Sequence, residues 1–245
     1  MLFNKFKKIN VQYGIYAETE VPKSIYPDIK KNTTNKNLKC PAVNTTENKF
    51  YEVNSFIELE INLEYNKESN QLDYTYTFDE TKHPTFNEVH NLIQSHIVIG
   101  NNNNENTVQI ILPYIFITDD KDIELTVLDP SCETQNLKFI SGGFNIYSWS
   151  RALNVAYSIV DKNKSAKIKL SLDKPILKYY FSKPVILKYV DFDDKQLNFI
   201  KSIRNATFYR RNAAKLYKQV LTRRPKKLLQ KNIWPKLIFT QNTKN

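Results

Sequence analysis

Three histidines, His83, His90 and His96, fall within fourteen residues and have Glu88 among them, so a metal centre is the first chemistry the residue types suggest. A zinc site needs several ligands converging on one point. His90 and His96 are six residues apart, which sets them on different sides of a helix, and neither an HxD nor an HExxH spacing occurs. They are expected as packing or surface histidines, with no metal bound. Carboxylates come next: Asp119 with Asp120, Asp191 with Asp193 and Asp194, and the alternating Glu58, Glu60 and Glu64. Acid–base catalysis by two carboxyls requires different environments across a cleft, whereas adjacent aspartates between apolar runs ordinarily mark a turn. No Walker, GxGxxG or GxSxG spacing occurs, and four glycines in 245 residues leave little for a phosphate-cradling loop. The expectation is a protein with no catalytic residues and no cofactor.

Two stretches suit binding better than catalysis. Gly142 and Gly143, within Ser141-Gly142-Gly143-Phe144, permit backbone conformations closed to other residues. They are read as a tight turn or bulge leading to Trp149, with a backbone anion site as the functional alternative. The stronger signal is charge. Between Lys195 and Asn245 lie fourteen Lys and Arg and no Asp or Glu; of the chain's 36 basic residues this leaves 22 against 25 acidic ones elsewhere. Arg204, Arg210, Arg211, Lys215, Lys218, Arg223, Arg224, Lys226 and Lys227 form the expected polyanion- or partner-binding set, with Tyr209, Tyr217 and Trp234 interleaved. Such a segment binds phosphate backbones through counterion release, without sequence preference. An acidic protein surface, such as the Glu58, Glu60 and Glu64 face of the same or another copy, is the alternative partner, and a homo-oligomer is expected.

The elements that must position these residues are mostly strands. Leu153, Val155, Tyr157 and Ile159 recur at every second position, as do Ile168, Leu170 and Leu172 after the polar break Asp161 to Ser165, which predicts an antiparallel hairpin. Ile176 to Phe181 follows as a third run after Pro175. Ile57 to Tyr65 and Leu72 to Phe78 alternate against Glu, Asn, Asp and Thr, predicting a sheet with one wet, acidic face. Val11 to Tyr16, Phe50 to Val53 and Val185 to Val190 add strands. Val108 to Ile117 and Ile123 to Leu128 flank a natural hairpin turn, Thr118 to Lys121, and Pro113 places the first of these at a sheet edge or bulge. Between Thr85 and Ile97 the apolar spacing becomes helical. From Lys195 to Leu221 apolar residues recur without proline or glycine, predicting a long helix capped by Asp193 or Asp194, broken near Thr207 and ended by Pro225. The division is a β-rich domain over 1–192, a basic helix over 193–222 and a basic tail over 223–245. The fold class is mainly β: an antiparallel sandwich, jelly roll or β-clip-like body with a C-terminal basic helix.

Composition bounds the rest. With 41% hydrophobic and 13% aromatic residues the chain can fill a core. No run of eighteen apolar residues occurs, so no membrane partner is expected. Met1 to Lys8 is basic but is not followed by an apolar signal region, which reads against secretion. Cys40 and Cys132 are the only cysteines; they exclude a four-cysteine zinc cage and are expected as thiols in a reducing compartment. Asn101 to Asn106 reads as a solvated loop.

The combination Cys40-Pro41-Ala42, Pro113-Tyr114-Ile115-Phe116, then Gly142-Gly143-Phe144-Asn145-Ile146, Trp149, Arg151 and Leu153-Asn154 resembles a family of uncharacterised proteins of tailed phages of marine bacteria. The likeness covers about Lys39 to Tyr189 and leaves out the basic C-terminal segment. It implies a phage-encoded structural or accessory protein, located in the host cytoplasm during infection or in the virion, with other virion or host proteins as partners. A fainter likeness is to the dUTPase-type β-clip, in which a Gly-Asp-x-Ile/Leu-Ala-Gln run follows a long hairpin. Leu172-Asp173 stands where Gly-Asp would, Ile176-Leu177 lacks Ala-Gln, and neither the nucleotide-binding serine motif nor the catalytic aspartate has a counterpart. That likeness implies a nucleotide-hydrolase alternative, with Asp119 and Asp173 as the residues to test. A non-specific nucleic-acid-binding protein is the other.

Overall fold

Alternating side chains favour extended backbone wherever one face must leave water, and the described residues form sixteen strands, most of them alternating in burial. The computed structural model describes residues 8–16, 23–31, 49–79, 86–102, 105–172, 174–208, 221–222 and 224–230. In chain order the strands are β1 (Ile9–Ile15), β2 (Lys30–Lys31), β3 (Phe50–Asn54), β4 (Leu59–Asn66), β5 (Gln71–Phe78), β6 (Ile97–Asn102), β7 (Glu105–Leu112) and β8 (Tyr114–Thr118). They continue as β9 (Glu124–Leu128), β10 (Glu133–Gln135), β11 (Leu137–Ile140), β12 (Gly142–Asn145), β13 (Leu153–Ile159), β14 (Ala166–Leu170), β15 (Pro175–Phe181) and β16 (Val185–Tyr189). Helix α1 (Phe86–His96) joins β5 to β6, and α2 (Asp194–Phe208) follows β16.

The strands form four sheets: sheet I in the order β16-β1-β8, sheet II β12-β9-β15-β3-β2, sheet III β10-β14-β4-β5 and sheet IV β11-β13-β7-β6. The body is mainly β and sandwich-like, with no closed barrel and a C-terminal helix. All four sheets feed one core, with Val11, Val53, Ile61 and Val108 fully buried in it. Aromatic rings pack against one another within it. Tyr51 stacks on Tyr179 at 5.8 Å, and Phe116 meets Tyr179 and Phe181 edge-on at 5.3 and 5.8 Å. No helix among the described residues is long and apolar enough to cross a membrane.

Pairing departs from the sequence expectation in three places. β13 and β14 do not form a hairpin: β13 pairs with β7 and β11 in sheet IV, while β14 pairs with β4 and β10 in sheet III. The turn between them crosses from sheet to sheet and is held by Asn136, whose Nδ2 donates to the carbonyls of Asp161 (2.8 Å) and Lys164 (3.0 Å) while its Oδ1 accepts from the Asp161 N–H (2.9 Å). The stretch after Thr118 behaves likewise, since β8 belongs to sheet I and β9 to sheet II. Alternation fixes which face is buried but not which strand lies alongside, and a polar break of four to six residues serves an arch as well as a hairpin. Third, β1 and β16 are parallel, the one exception to antiparallel pairing among the described strands. The run Asn101 to Asn106, expected as loop, lies largely in the β6–β7 hairpin, where Asn101 pairs with Asn106.

Two elements answer the expectation closely. β4 and β5 pair over their whole length, Leu59 with Phe78 through Asn66 with Gln71. Pro113 divides one run into β7 and β8, which belong to different sheets, and β8 is an edge strand. The freed Pro113 carbonyl accepts from the Tyr16 N–H at 2.9 Å.

Candidate functional site at the C-terminal clasp

Helix α2 begins with a reciprocal cap. The Gln196 N–H donates to Asp193 Oδ1 at 2.9 Å, and the Asp193 N–H donates back to Gln196 Oε1 at 3.3 Å, so two groups that a helix start leaves unpaired are satisfied together. From there Phe199, Ile200 and Ile203 fall three and four apart on one face and are buried against Ile115 and Ile117 of β8, together with Leu228. Burying each such side chain contributes on the order of 1.5–3 kcal/mol, so α2 is held on the outer face of sheet I by packing. The described helix ends at Phe208, and residues 209–220 of the expected longer one lie outside the described residues.

The chain returns at Leu221 and runs as a strap, 224–230, over the start of α2. Three glutamines fasten it. Gln196, fully buried, donates from Nε2 to Gln12 Oε1 (2.9 Å) and to the Leu228 carbonyl (3.2 Å). Gln12 Oε1 also accepts from the Gln230 N–H, and its Nε2 donates to the Gln230 carbonyl, both at 3.1 Å. Gln230 Nε2 donates to Gln196 Oε1 (2.7 Å) and to the Asp191 carbonyl (2.8 Å). A side-chain amide has two donor hydrogens and an acceptor oxygen, so Gln196 and Gln230 can each donate twice while Gln196 Oε1 accepts, which a hydroxyl with its single hydrogen could not match. Asp119 completes it from the other side, accepting from the N–H groups of Leu228 (2.8 Å) and Leu229 (3.3 Å).

Arg224 is the strap's anchor. Its side chain is 1% exposed, 3.9 Å from the Asp119 carboxylate. Nη1 donates to the Tyr147 carbonyl at 2.7 Å and Nη2 to that of Thr118. The guanidinium lies 4.0 Å from the ring centroid of Tyr147 and 4.8 Å from that of Phe199, a stacked position that suits a planar cation. The loop supplying Tyr147 is organised by Asn145, whose Nδ2 donates to the Lys121 carbonyl at 2.6 Å and whose Oδ1 accepts from the Ser148 N–H at 2.9 Å.

The expected binding set is therefore divided. Arg224 is spent inside the fold and leaves the polyanion-binding set: its charge is taken up by two carbonyls, a carboxylate and two rings. Lys226 and Lys227 are exposed on the strap, near Lys195 of α2, whose Nζ donates to the Lys227 carbonyl. Arg204 is in α2, though its side chain lies outside what is described, as do Arg210, Arg211, Lys215, Lys218 and Arg223. Gly142 and Gly143 form neither turn nor anion nest. They are extended residues of the edge strand β12, in register with Val127 and Thr126, and no described glycine has a positive φ. A backbone nest requires adjacent residues of opposite helical sense, which an edge strand lacks.

The remaining candidates have the following surroundings. His96 is buried between Tyr26, whose hydroxyl meets Nε2 at 2.9 Å, and the Leu92 carbonyl, 2.8 Å from Nδ1. His90 contacts Tyr76 and Gln94, and His83 lies outside the described residues. No group of three or more potential metal ligands occurs among the described residues. Cys132 is a free thiol, its Sγ 3.6 Å from the Pro175 carbonyl oxygen and its pKa pushed up by burial; Cys40 is not among the described residues. On the outer face of β4, Lys167 Nζ lies 2.8 Å from Glu60 and holds that carboxyl below its usual range, while Glu64 is exposed opposite Asp73. Asp119, a residue to test for hydrolysis, is occupied with the strap, and Asp173 is outside the described residues.

No single residue of the clasp signals it in the sequence. Gln12 is a polar residue in an apolar strand, and Gln196 stands at the third position after a capping aspartate, but the spacing of 184 residues between them carries no periodic signal. No protein-family model matches the chain, and neither does a curated protein or a solved structure.

Proposed function

We propose that this chain is a non-catalytic structural or accessory protein of the tailed-phage kind, in which a β-sandwich body presents a basic C-terminal arm to nucleic acid. The observation that carries this reading is the clasp. Arg224, Gln12, Gln196 and Gln230 fix the strap on the body, so the basic residues before and after it leave from a defined place. The strap and α2 put Lys195, Lys201, Lys226 and Lys227 on the surface there, and the sequence adds Arg210, Arg211, Lys215, Lys218 and Arg223 between the helix and the strap. On the acidic face of β4, Glu60 is already bridged by Lys167 of its own chain, which lowers the charge that face offers a basic arm.

Binding of the full chain to random duplex and single-stranded DNA, followed by fluorescence anisotropy as salt is raised, tests this. About six phosphate contacts predict a loss of affinity of roughly a thousandfold between about 50 and 200 mM salt, with no preference for sequence. Absence of DNA binding at about 50 mM salt, or binding indifferent to salt, would contradict the proposal. Salt-soluble self-assembly in place of DNA binding would transfer the arm to an acidic protein surface.

A further inference from the structure

The loop between β12 and β13 carries two stacked cations, and they differ in depth. The Arg224 guanidinium lies 4.0 Å from the Tyr147 ring centroid, and its side chain is 1% exposed. Arg151 lies 5.0 Å over the Trp149 ring, and both of these residues are partly exposed. The Trp149 ring is braced from within by Phe144, at 5.9 Å between centroids, and the Trp149 N–H donates to the Asn145 carbonyl at 2.9 Å. The plane of the guanidinium is set by its own donors: Nε to the Ala152 carbonyl (3.3 Å) and Nη2 to Asn154 Oδ1 (3.1 Å). Asn154 is itself fixed, its Nδ2 donating to Gln109 Oε1 at 2.9 Å. This stack stands beside the basic strap. Trp149 and Leu229 pack against the same cluster of β8, α2 and Leu228, and Arg224 ties the strap to the Tyr147 carbonyl at 2.7 Å. The exposed Lys226 and Lys227 follow two and three residues later.

We propose that the Arg151–Trp149 stack is a nucleobase site, which takes an unpaired base of a single-stranded nucleic acid whose phosphates lie along the strap lysines. The inference rests on the nucleic-acid reading of the basic arm and names the form of nucleic acid that the arm prefers. Geometry selects a flat ligand. A carboxylate meets a guanidinium edge-on, in its plane, and that edge already donates to Ala152 and Asn154. With the indole beneath one plane of the partly exposed guanidinium, the other plane is the surface it offers. Bases stack on arginine planes as they do on aromatic rings, and the positive charge held between indole and base favours both contacts. Bases inside a duplex are stacked on one another and do not reach such a site, so it distinguishes single strands from duplex. Every base has a π-face, so the site adds no preference for sequence.

Trp149 and Trp234 are the only tryptophans, so the full-length Trp234→Phe chain reports Trp149 alone. That chain is titrated at about 50 mM salt with an oligothymidylate of about 12 nucleotides and with a duplex of the same length, emission and anisotropy being read together. The oligothymidylate is expected to change Trp149 emission in step with anisotropy, whereas the duplex raises anisotropy and leaves the emission as it was. Arg151→Lys in the same background keeps the charge and removes the plane. It is expected to weaken oligothymidylate binding about fivefold or more and duplex binding by less than about twofold, with an unchanged urea midpoint. Constant emission while anisotropy rises with the oligothymidylate overturns the base site and leaves the arm standing. So does an equal emission change with the duplex, or an Arg151→Lys chain that binds both probes as its parent does. A chain that binds neither probe overturns the arm and the base site together.

Discussion

His96 illustrates how a buried titratable group ties stability to pH without any catalytic duty. A carbonyl only accepts, so the 2.8 Å contact with the Leu92 oxygen puts the proton on Nδ1 and leaves Nε2 to accept from the Tyr26 hydroxyl. The ring also borders a small apolar cavity lined by Leu92, Ile93, Ile97 and Ile110. Burial accordingly holds its pKa below the usual 6.5. In the unfolded chain the same imidazole charges at about 6.5, so the unfolded state binds more protons as pH falls. The contribution is complete above that value and declines as pH drops through it toward the lower folded value. Urea midpoints measured from pH 8 to pH 5 are expected to fall more steeply for the native chain than for His96→Gln, in which that position cannot titrate. Parallel curves would mean that His96 titrates in the fold as it does in the unfolded chain.

At the level of elements, the glycines separate close approach from mere flexibility. A Cβ on Gly14 of β1 would stand 2.6 Å from the Val190 carbonyl oxygen and 2.8 Å from the Phe192 ring. There the chain leaving β16 crosses β1, with the Val190 N–H donating to the Tyr13 carbonyl at 2.8 Å. Gly14→Ala should therefore cost about 1–3 kcal/mol, since backbone and a packed ring must both yield. A Cβ on Gly142 meets nothing within 4 Å, so Gly142→Ala should stay within about 0.5 kcal/mol of the native chain. Denaturant unfolding of both variants checks the contrast; a larger loss at Gly142 would restore a turn to that position. The strands themselves were legible because alternation is a local signal: β4, β5, β13 and β14 fall within two or three residues of where their apolar periods place them. The partners of β13 and β14 were not, because the turn that makes an arch of them is held by Asn136, more than twenty residues away. The clasp was illegible for the same reason. Its amides come from β1, the α2 cap and the strap, and nothing local distinguishes Arg224 from the charged residues beside it.

Over the whole molecule, a nearly balanced body is joined to a segment with fourteen positive charges and no carboxylate, and among the described residues the clasp turns one of those charges inward. Arg224 works inward; Lys226 and Lys227, two and three residues on, work outward. A buried, hydrogen-bonded charge that loses its own side chain leaves partners unpaired, at a cost of about 3–5 kcal/mol, whereas an exposed lysine removed from the surface changes stability by about 0.5 kcal/mol or less. Phosphate contacts obey the opposite ranking, since each one adds about 0.9 to the salt slope of DNA binding. The most direct measurement is therefore the urea midpoint and the DNA-binding salt slope of Arg224→Gln beside those of the double variant Lys226→Gln, Lys227→Gln. Arg224→Gln is predicted to lose several kcal/mol of stability, about 3–5, with its salt slope unchanged. The double variant is predicted to keep its stability and to lose about two units of slope. A stable Arg224→Gln protein whose slope falls by about one would place that arginine on the phosphates and contradict the clasp.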